Sequence, residues 1–236
     1  MADLELTAAD GHVFTAHRAD PAGPPLGGVV VVQEIFGVNE HIRSVVDRFA
    51  AAGFVAVAPA LFDRVERGVE LAYDEAGTAR GKAIAWEQLE VDTPLLDLTA
   101  TAQALAHELG GPAHVAVVGY CYGGMLAAAL ASRVPEVLAA AVAYYPSQAA
   151  QRLTADQVRR PLQIHLGNDD LGVTPADGDT LAARWPDADV HRYDHAGHGF
   201  NCDLRPSYAP EASARAWQRT VAFLTEQLAG AHGGAD

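Results

Sequence analysis

Basic residues are scarce in this chain: 16 Lys and Arg stand against 30 Asp and Glu, for a formal charge of −14 at pH 7. Such a surface repels polyanions, which argues against nucleic acid and anionic membrane faces as partners. An anionic small molecule remains compatible, provided that local arginines receive it. Cysteine is scarce too. Two thiols, Cys121 and Cys202, are too few for a disulfide framework; free thiols in a reducing cytoplasm fit better. No apolar run approaches the roughly 20 residues that span a bilayer. The opening Met1-Ala2-Asp3-Leu4-Glu5 lacks the basic segment and apolar stretch of a secretion signal. No internal repeat or long low-complexity segment interrupts the 236 residues, so one α/β domain over 1–236 is expected.

Apolar residues are abundant, at 50 % of the chain, enough to bury a sizeable core. Leu4 to His17 reads as a hairpin around Asp10-Gly11, and Pro21 to Gly28 as a connector. Val29-Val30-Val31-Val32 is apolar throughout, as in a strand covered on both faces. Asn39 can cap a helix carrying Ile42, Val45, Val46 and Phe49, which Gly53 stops before the strand Phe54 to Ala58. Residues 61–90 are polar, charged and poorly periodic, and read as an excursion over one end of the sheet, a candidate cap. A long helix is predicted from Asp92 to Leu109, and further strands at Val115–Val118, Leu138–Tyr145, Pro161–Leu166 and Asp189–Tyr193. Helices are predicted to Ser132 after the first of these runs, over Thr180–Trp185, and from Ala212 to Leu228; Gly230 onward reads as a frayed tail. Strands alternating with helices imply a mostly parallel, twisted sheet with helices on both faces.

One turn stands out. Gly119-Tyr120-Cys121-Tyr122-Gly123-Gly124 joins an apolar strand to the helix former Met125-Leu126-Ala127-Ala128. This is the strand–turn–helix of a nucleophile elbow, with Cys where the usual pattern has Ser. Such a turn is strained, and strain of this kind aims a reactive side chain out of a sheet. Ligands of parallel sheets bind beyond the carboxyl ends of the strands. Glu34, Cys121, Asp170 and His198 each follow a predicted strand. A thiol attacks as thiolate, which a helix N-terminus, a nearby His and an acid orienting that His all favour. The order Cys121, Asp170, His198 matches nucleophile, acid and base in the α/β-hydrolase architecture. The N–H of Tyr122 is placed to meet an oxyanion, and the N–H of Ile35 is the natural second donor.

Three segments in register carry a resemblance: Gln33-Glu34-Ile35-Phe36-Gly37-Val38-Asn39, the elbow, and Ala196-Gly197-His198-Gly199-Phe200. From Val29 to Leu228 the chain resembles the dienelactone hydrolase family. The resemblance implies an α/β-hydrolase fold, a Cys–His–Asp triad and opening of dienelactones to maleylacetate in the breakdown of catechols. It implies Cys121 as nucleophile, His198 as base and then acid, and Asp170 as its partner through the spacing Gly-x-x-Asp. Glu34 would be the glutamate that takes part in activating the thiol, which rests protonated until substrate arrives. The family's dienelactone enzymes hold a substrate carboxylate with two arginines. Arg80 is the best match for one. The other lies four residues beyond the histidine, where this chain has Cys202; Arg205 is the nearest arginine.

Other readings attach to the same residues. Asp169 competes with Asp170. Trp86 and Tyr145 are candidate pocket walls or plain packing. His195 and His198 stand at His-x-x-His spacing, but no helix is expected there to put both rings on one face, so no metal is expected and no cofactor is called for. The expected partner is a small ester or lactone, met by a monomer or homodimer. Two rival functions share the thiol. An amidotransferase-type enzyme also carries Gly-x-Cys-x-Gly, yet expects a His-x-Glu pair. A redox-responsive binding protein would oxidise Cys121, with Cys202 as a partner thiol.

Overall fold

Residues 2–229 are described by the computed structural model; the tail predicted over 230–236 lies outside the described residues. Eight strands form one sheet in the order β1-β2-β4-β3-β5-β6-β7-β8. The strands are β1 (Ala2–Thr7), β2 (Val13–Ala19), β3 (Gly28–Val32), β4 (Val55–Pro59), β5 (Val115–Tyr120), β6 (Ala140–Tyr144), β7 (Leu162–Gly167) and β8 (Asp189–Tyr193). The hairpin β1–β2 is antiparallel and lies antiparallel to β4; β4, β3, β5, β6, β7 and β8 run parallel. The apolar runs occupy the middle. Every residue of β3, β5, β6 and β7 is buried, whereas the edge strand β8 buries only Tyr193.

Helices cover both faces. A side chain at Gly27 would meet Leu228 of α7 (Pro210–Ala229), and one at Gly28 would meet Leu105 and Leu109 of α3 (Asp92–Leu109). Successive strand positions point to opposite faces, so α7 and α3 lie on opposite sides. α1 (Glu40–Ala51) joins α7 through Phe49 against Trp217, and α4 (Tyr122–Arg133) packs beside α3. Asn39 caps α1 by accepting from the Ile42 N–H. α6 (Pro175–Arg184) starts five residues before the segment 180–185 that periodicity marks. Its start is set by a reciprocal Thr174–Asp177 capping box with Pro175 in the first turn, a signal independent of apolar spacing.

The excursion after β4 is ordered. It holds a 3₁₀ turn (Leu61–Arg64), α2 (Glu75–Lys82) and a π-helical turn (Ala83–Gln88). Gly37 and Glu70 form an isolated bridge, so the excursion lies against the loop leaving β3. Its base is fastened by charge. Arg64 donates to both oxygens of Asp97, through Nε at 2.8 Å and Nη2 at 2.7 Å, and also reaches Asp10. Asp97 is fully buried; burial pushes its carboxyl up, and the Arg64 bonds oppose that. A second polar network lies under the sheet. His165 Nδ1 meets the Tyr193 hydroxyl at 2.8 Å, and Nε2 meets Gln163 at 2.9 Å and Thr220 at 3.0 Å. Burial holds this imidazole well below the usual histidine range, hence neutral.

Removing one partner of a buried ion pair strands the other charge. Arg64→Met, which leaves the buried Asp97 carboxylate without its guanidinium, is therefore expected to lower the free energy of unfolding by about 3–5 kcal/mol, read by urea denaturation. The double change Arg64→Met with Asp97→Leu should recover most of that loss, and failure to recover would show that the ion pair is not its source.

Candidate active site

Cys121 follows β5 and caps α4 with φ 56° and ψ −112°, a left-handed conformation that costs a non-glycine residue energy. Two glycines make the turn sterically feasible. A Cβ on Gly119 would sit 1.9 Å from Gly123 O, and one on Gly123 would sit 2.4 Å from Val32 O. The first permits the tight bend; the second lets α4 back directly onto the end of β3. That contact brings the loop bearing Glu34 and Ile35 alongside the elbow, where Tyr122 opens the helix.

The structure gathers three residues that lie far apart in the chain. His198 Nε2 is 3.1 Å from Cys121 Sγ. His198 Nδ1 is 2.9 Å from Asp170 Oδ2 and 3.2 Å from Oδ1. Asp170 is buried, and its Oδ1 also accepts from the N–H groups of Gly172 (2.6 Å) and Val173 (2.9 Å), so the carboxylate is aimed by backbone. Asp169 points elsewhere: it lies 3.9 Å from His195, whose side chain is 96 % exposed. Burial works against a charged His198, yet the Cys121 sulfur and the Asp170 carboxylate outweigh it and raise His198 to about 10. Sulfur, imidazole and carboxylate thus share one proton path, with the Nε2 face turned to the sulfur.

A second layer surrounds the sulfur. Tyr145, with φ 34°, sets its ring edge-on to His198 at 5.1 Å. Glu34 is 1 % exposed; Arg205 Nη1 lies 3.4 Å from its Oε1, and the Tyr73 hydroxyl donates to its Oε2 at 3.4 Å. The Arg205 guanidinium lies over the rings of Phe36 and Tyr73. Gly199 makes room for it, since a Cβ there would come within 2.4 Å of Arg205 Nη1. Cys202 is fully buried, and burial pushes its thiol up to about 11, so it stays protonated at neutral pH. Both thiols are free. Trp86 is half-buried, with its ring edge-on to Tyr122 at 5.0 Å and the Arg152 guanidinium over it.

Arg80 departs from expectation. It sits in the last turn of α2 with its side chain 48 % exposed, and its guanidinium pairs with Glu66 rather than with Glu34 or His198. The helical turn carries it to the outer side of the excursion, an orientation that the poorly periodic sequence did not signal. Two residues went unmarked in the sequence. Tyr73 has no motif around it. Ser147, whose Oγ is 3.3 Å from Cys121 Sγ, follows strand β6, and the strand-end rule applied to every strand would have found it. Among the described residues, no three His, Cys, Asp or Glu side chains gather as a metal site, and no helix is long and apolar enough to cross a membrane.

The model of the Dienelactone hydrolase family matches residues 14–228. A carboxymethylenebutenolidase of Pseudomonas putida is 31 % identical over 226 residues, covering 94 % of each chain. A carboxymethylenebutenolidase from another Pseudomonas is 34 % identical, covering 94 % of this chain and 93 % of its own. A crystal structure of a Klebsiella pneumoniae protein assigned to the dienelactone hydrolases superposes with a TM-score of 0.79 at 28 % identity, covering 95 % of this chain and 99 % of its own.

Asp170→Asn removes a negative charge and an acceptor from His198 Nδ1. The His198 titration midpoint, followed by NMR at the imidazole Cε1–H, is expected to move down. A raised histidine stabilises the fold most fully below its unfolded value of about 6.5 and loses that contribution as pH rises through its folded value. The stability gap between wild type and Asp170→Asn should therefore narrow from acid to alkaline pH. A midpoint that stays in place would show that the carboxylate does not set the charge of the ring.

Proposed function

The chain belongs to the dienelactone hydrolase family, and from that premise we propose that it hydrolyses ester or lactone bonds through a thioester on Cys121. The observation that carries this reading is the 3.1 Å approach of His198 Nε2 to Cys121 Sγ, with Asp170 on the other ring nitrogen.

The proposed reaction begins at the sulfur. The thiol proton passes to His198 Nε2, and the sulfur attacks the substrate carbonyl, moving an electron pair onto its oxygen. The N–H groups of Tyr122 and Ile35 are the proposed donors to that oxyanion. The oxyanion collapses, the acyl C–O bond breaks, and the leaving oxygen takes the proton from His198. In a lactone the departing oxygen stays tethered through the acyl group. Water then gives a proton to His198 and its hydroxyl attacks the thioester. The C–S bond breaks, the acid leaves, and the sulfur is restored. An enolate or aryloxide is a good leaving group, which suits a thiol nucleophile.

Glu34 and Arg205 set the preference for substrate in this reading. Arg205 already holds one buried carboxylate, at 3.4 Å, on the loop that follows His198. A substrate carboxylate arriving there would compete for the same guanidinium and free Glu34 from it, while the thiol proton passes to His198. Arg205 rather than Arg80 is the proposed carboxylate ligand, because Arg80 faces Glu66. Trp86, half-buried with its ring edge-on to Tyr122, is the proposed aromatic wall, whereas Tyr145 is fully buried and packs against His198.

Cys121→Ala is expected to cut hydrolysis of activated aryl esters and lactones at least about a thousandfold, and turnover at the wild-type rate would refute the reading. Cys121→Ser should keep at most weak activity, since a hydroxyl is a far weaker acid than a thiol. Arg205→Gln should lower kcat/KM for carboxylate-bearing lactones by roughly 10- to 100-fold, the worth of a charged hydrogen bond, and leave neutral aryl esters much less affected. An equal loss on both substrate classes would remove Arg205 from the carboxylate site.

A further inference from the structure

The segment after β6 is bound to the elbow at two points. Cys121 N donates to Tyr144 O at 3.0 Å, and Ser147 N donates to Cys121 O at 3.1 Å. Between and beyond these bonds the backbone is unusual. Tyr145 has φ 34° and Gln148 φ 59°, so Ser147 is bracketed by two non-glycine residues in left-handed conformations, beside a third at Cys121. Local strain held by surrounding bonds is a pointer to function when it delivers a side chain to a reacting atom. Here it delivers the Ser147 hydroxyl to the sulfur, with Oγ 3.3 Å from Cys121 Sγ, while His198 Nε2 approaches the same sulfur at 3.1 Å.

We propose that Ser147 is a further catalytic residue, whose hydroxyl donates to the Cys121 sulfur once the thiol has lost its proton and so stabilises and aims the nucleophile. The proposal rests on the reading of Cys121 as nucleophile. A hydroxyl can serve both protonation states of the sulfur. It accepts from the S–H in the thiol and, after rotation about its C–O bond, donates to the thiolate. The two bonds are unequal. A thiol is a weak donor, whereas an O–H bond to an anion is charge-assisted and stronger. The difference favours the thiolate. No bond to carbon breaks in this step: the thiol proton goes to His198 Nε2, and the Ser147 proton stays on its own oxygen. When the sulfur attacks, its charge moves to the carbonyl oxygen and the Ser147 bond weakens, so the hydroxyl acts on the nucleophile before attack. Ser147 is partly buried, whereas Cys121 is buried.

The test is the pH profile of Cys121 alkylation by iodoacetamide, with Cys121→Ala as the blank that subtracts any labelling of Cys202. In Ser147→Ala the midpoint is expected to rise by about one to two pH units, the equivalent of losing one charge-assisted hydrogen bond. In Ser147→Thr, which keeps a hydroxyl at the same branch point, it should return toward the wild-type value. Hydrolysis by Ser147→Ala should be depressed most at neutral pH and recover as the pH rises. An unchanged or lowered midpoint in Ser147→Ala would overturn the proposal, as would a raised midpoint that Ser147→Thr does not restore. The failure of the two readings can be told apart. Wild-type turnover by Cys121→Ala defeats the hydrolase mechanism itself, whereas an unmoved Ser147→Ala midpoint in an enzyme that requires Cys121 defeats only the role of Ser147.

Discussion

The left-handed turn at Cys121 is the constraint on which the rest of this structure depends. A side chain held at φ 56° is unfavourable by itself, and the strand, the helix and two neighbouring segments combine to hold it. β5 enters through residues that are buried without exception, and α4 leaves through a helix buried along most of its length. Gly119 and Gly123 remove the atoms that would otherwise collide. A fold with this much packing on either side of one residue can keep local strain of about 1–3 kcal/mol without relaxing it.

Polar groups around the sulfur are held to the same standard. The imidazole of His198 is fixed by Asp170, Asp170 by two backbone N–H groups, and the elbow backbone by the segment after β6. Each group is oriented by another whose own partners are already set. Catalytic groups benefit from that arrangement because little reorganisation is then needed as charge develops. Glu34 and Arg205 form a different kind of pair. Their contact is 3.4 Å, longer than the short bidentate bonds of Arg64 to Asp97 at the base of the excursion. The short pair fastens the fold. In the longer one, the guanidinium lies over the rings of Phe36 and Tyr73.

The excursion between β4 and α3 shows how an apparently featureless stretch becomes specific. Its short helix has a weak apolar face, and beyond the Arg64–Asp97 pair its anchors include the Gly37–Glu70 bridge, Tyr73 on Glu34, and Trp86 on Tyr122. These contacts are made with distant segments, so nothing within the stretch itself announces them. Arg80 illustrates the consequence. Its position in the chain suits a substrate ligand, but the turn of α2 directs it to Glu66. Arg205 reaches Glu34 instead, from seven residues beyond His198, through the space left by Gly199.

Much of this protein was legible before any contact was known. Unbroken apolar runs marked β3, β5 and β6, because a strand covered on both faces must be apolar at every position. The glycine-bounded cysteine marked the elbow, because only small residues tolerate so close a turn, and strand ends marked Glu34, Asp170 and His198. Those features are local, or follow from the general geometry of parallel sheets. The remainder was decided by tertiary structure. Which of Asp169 and Asp170 meets the histidine, where Arg80 and Arg205 point, and that Ser147 touches the sulfur all depend on the rotation of one segment about another. A shift of one residue along a turn reverses the direction of a side chain, and the packing of neighbouring segments, rather than the identity of that residue, sets the register.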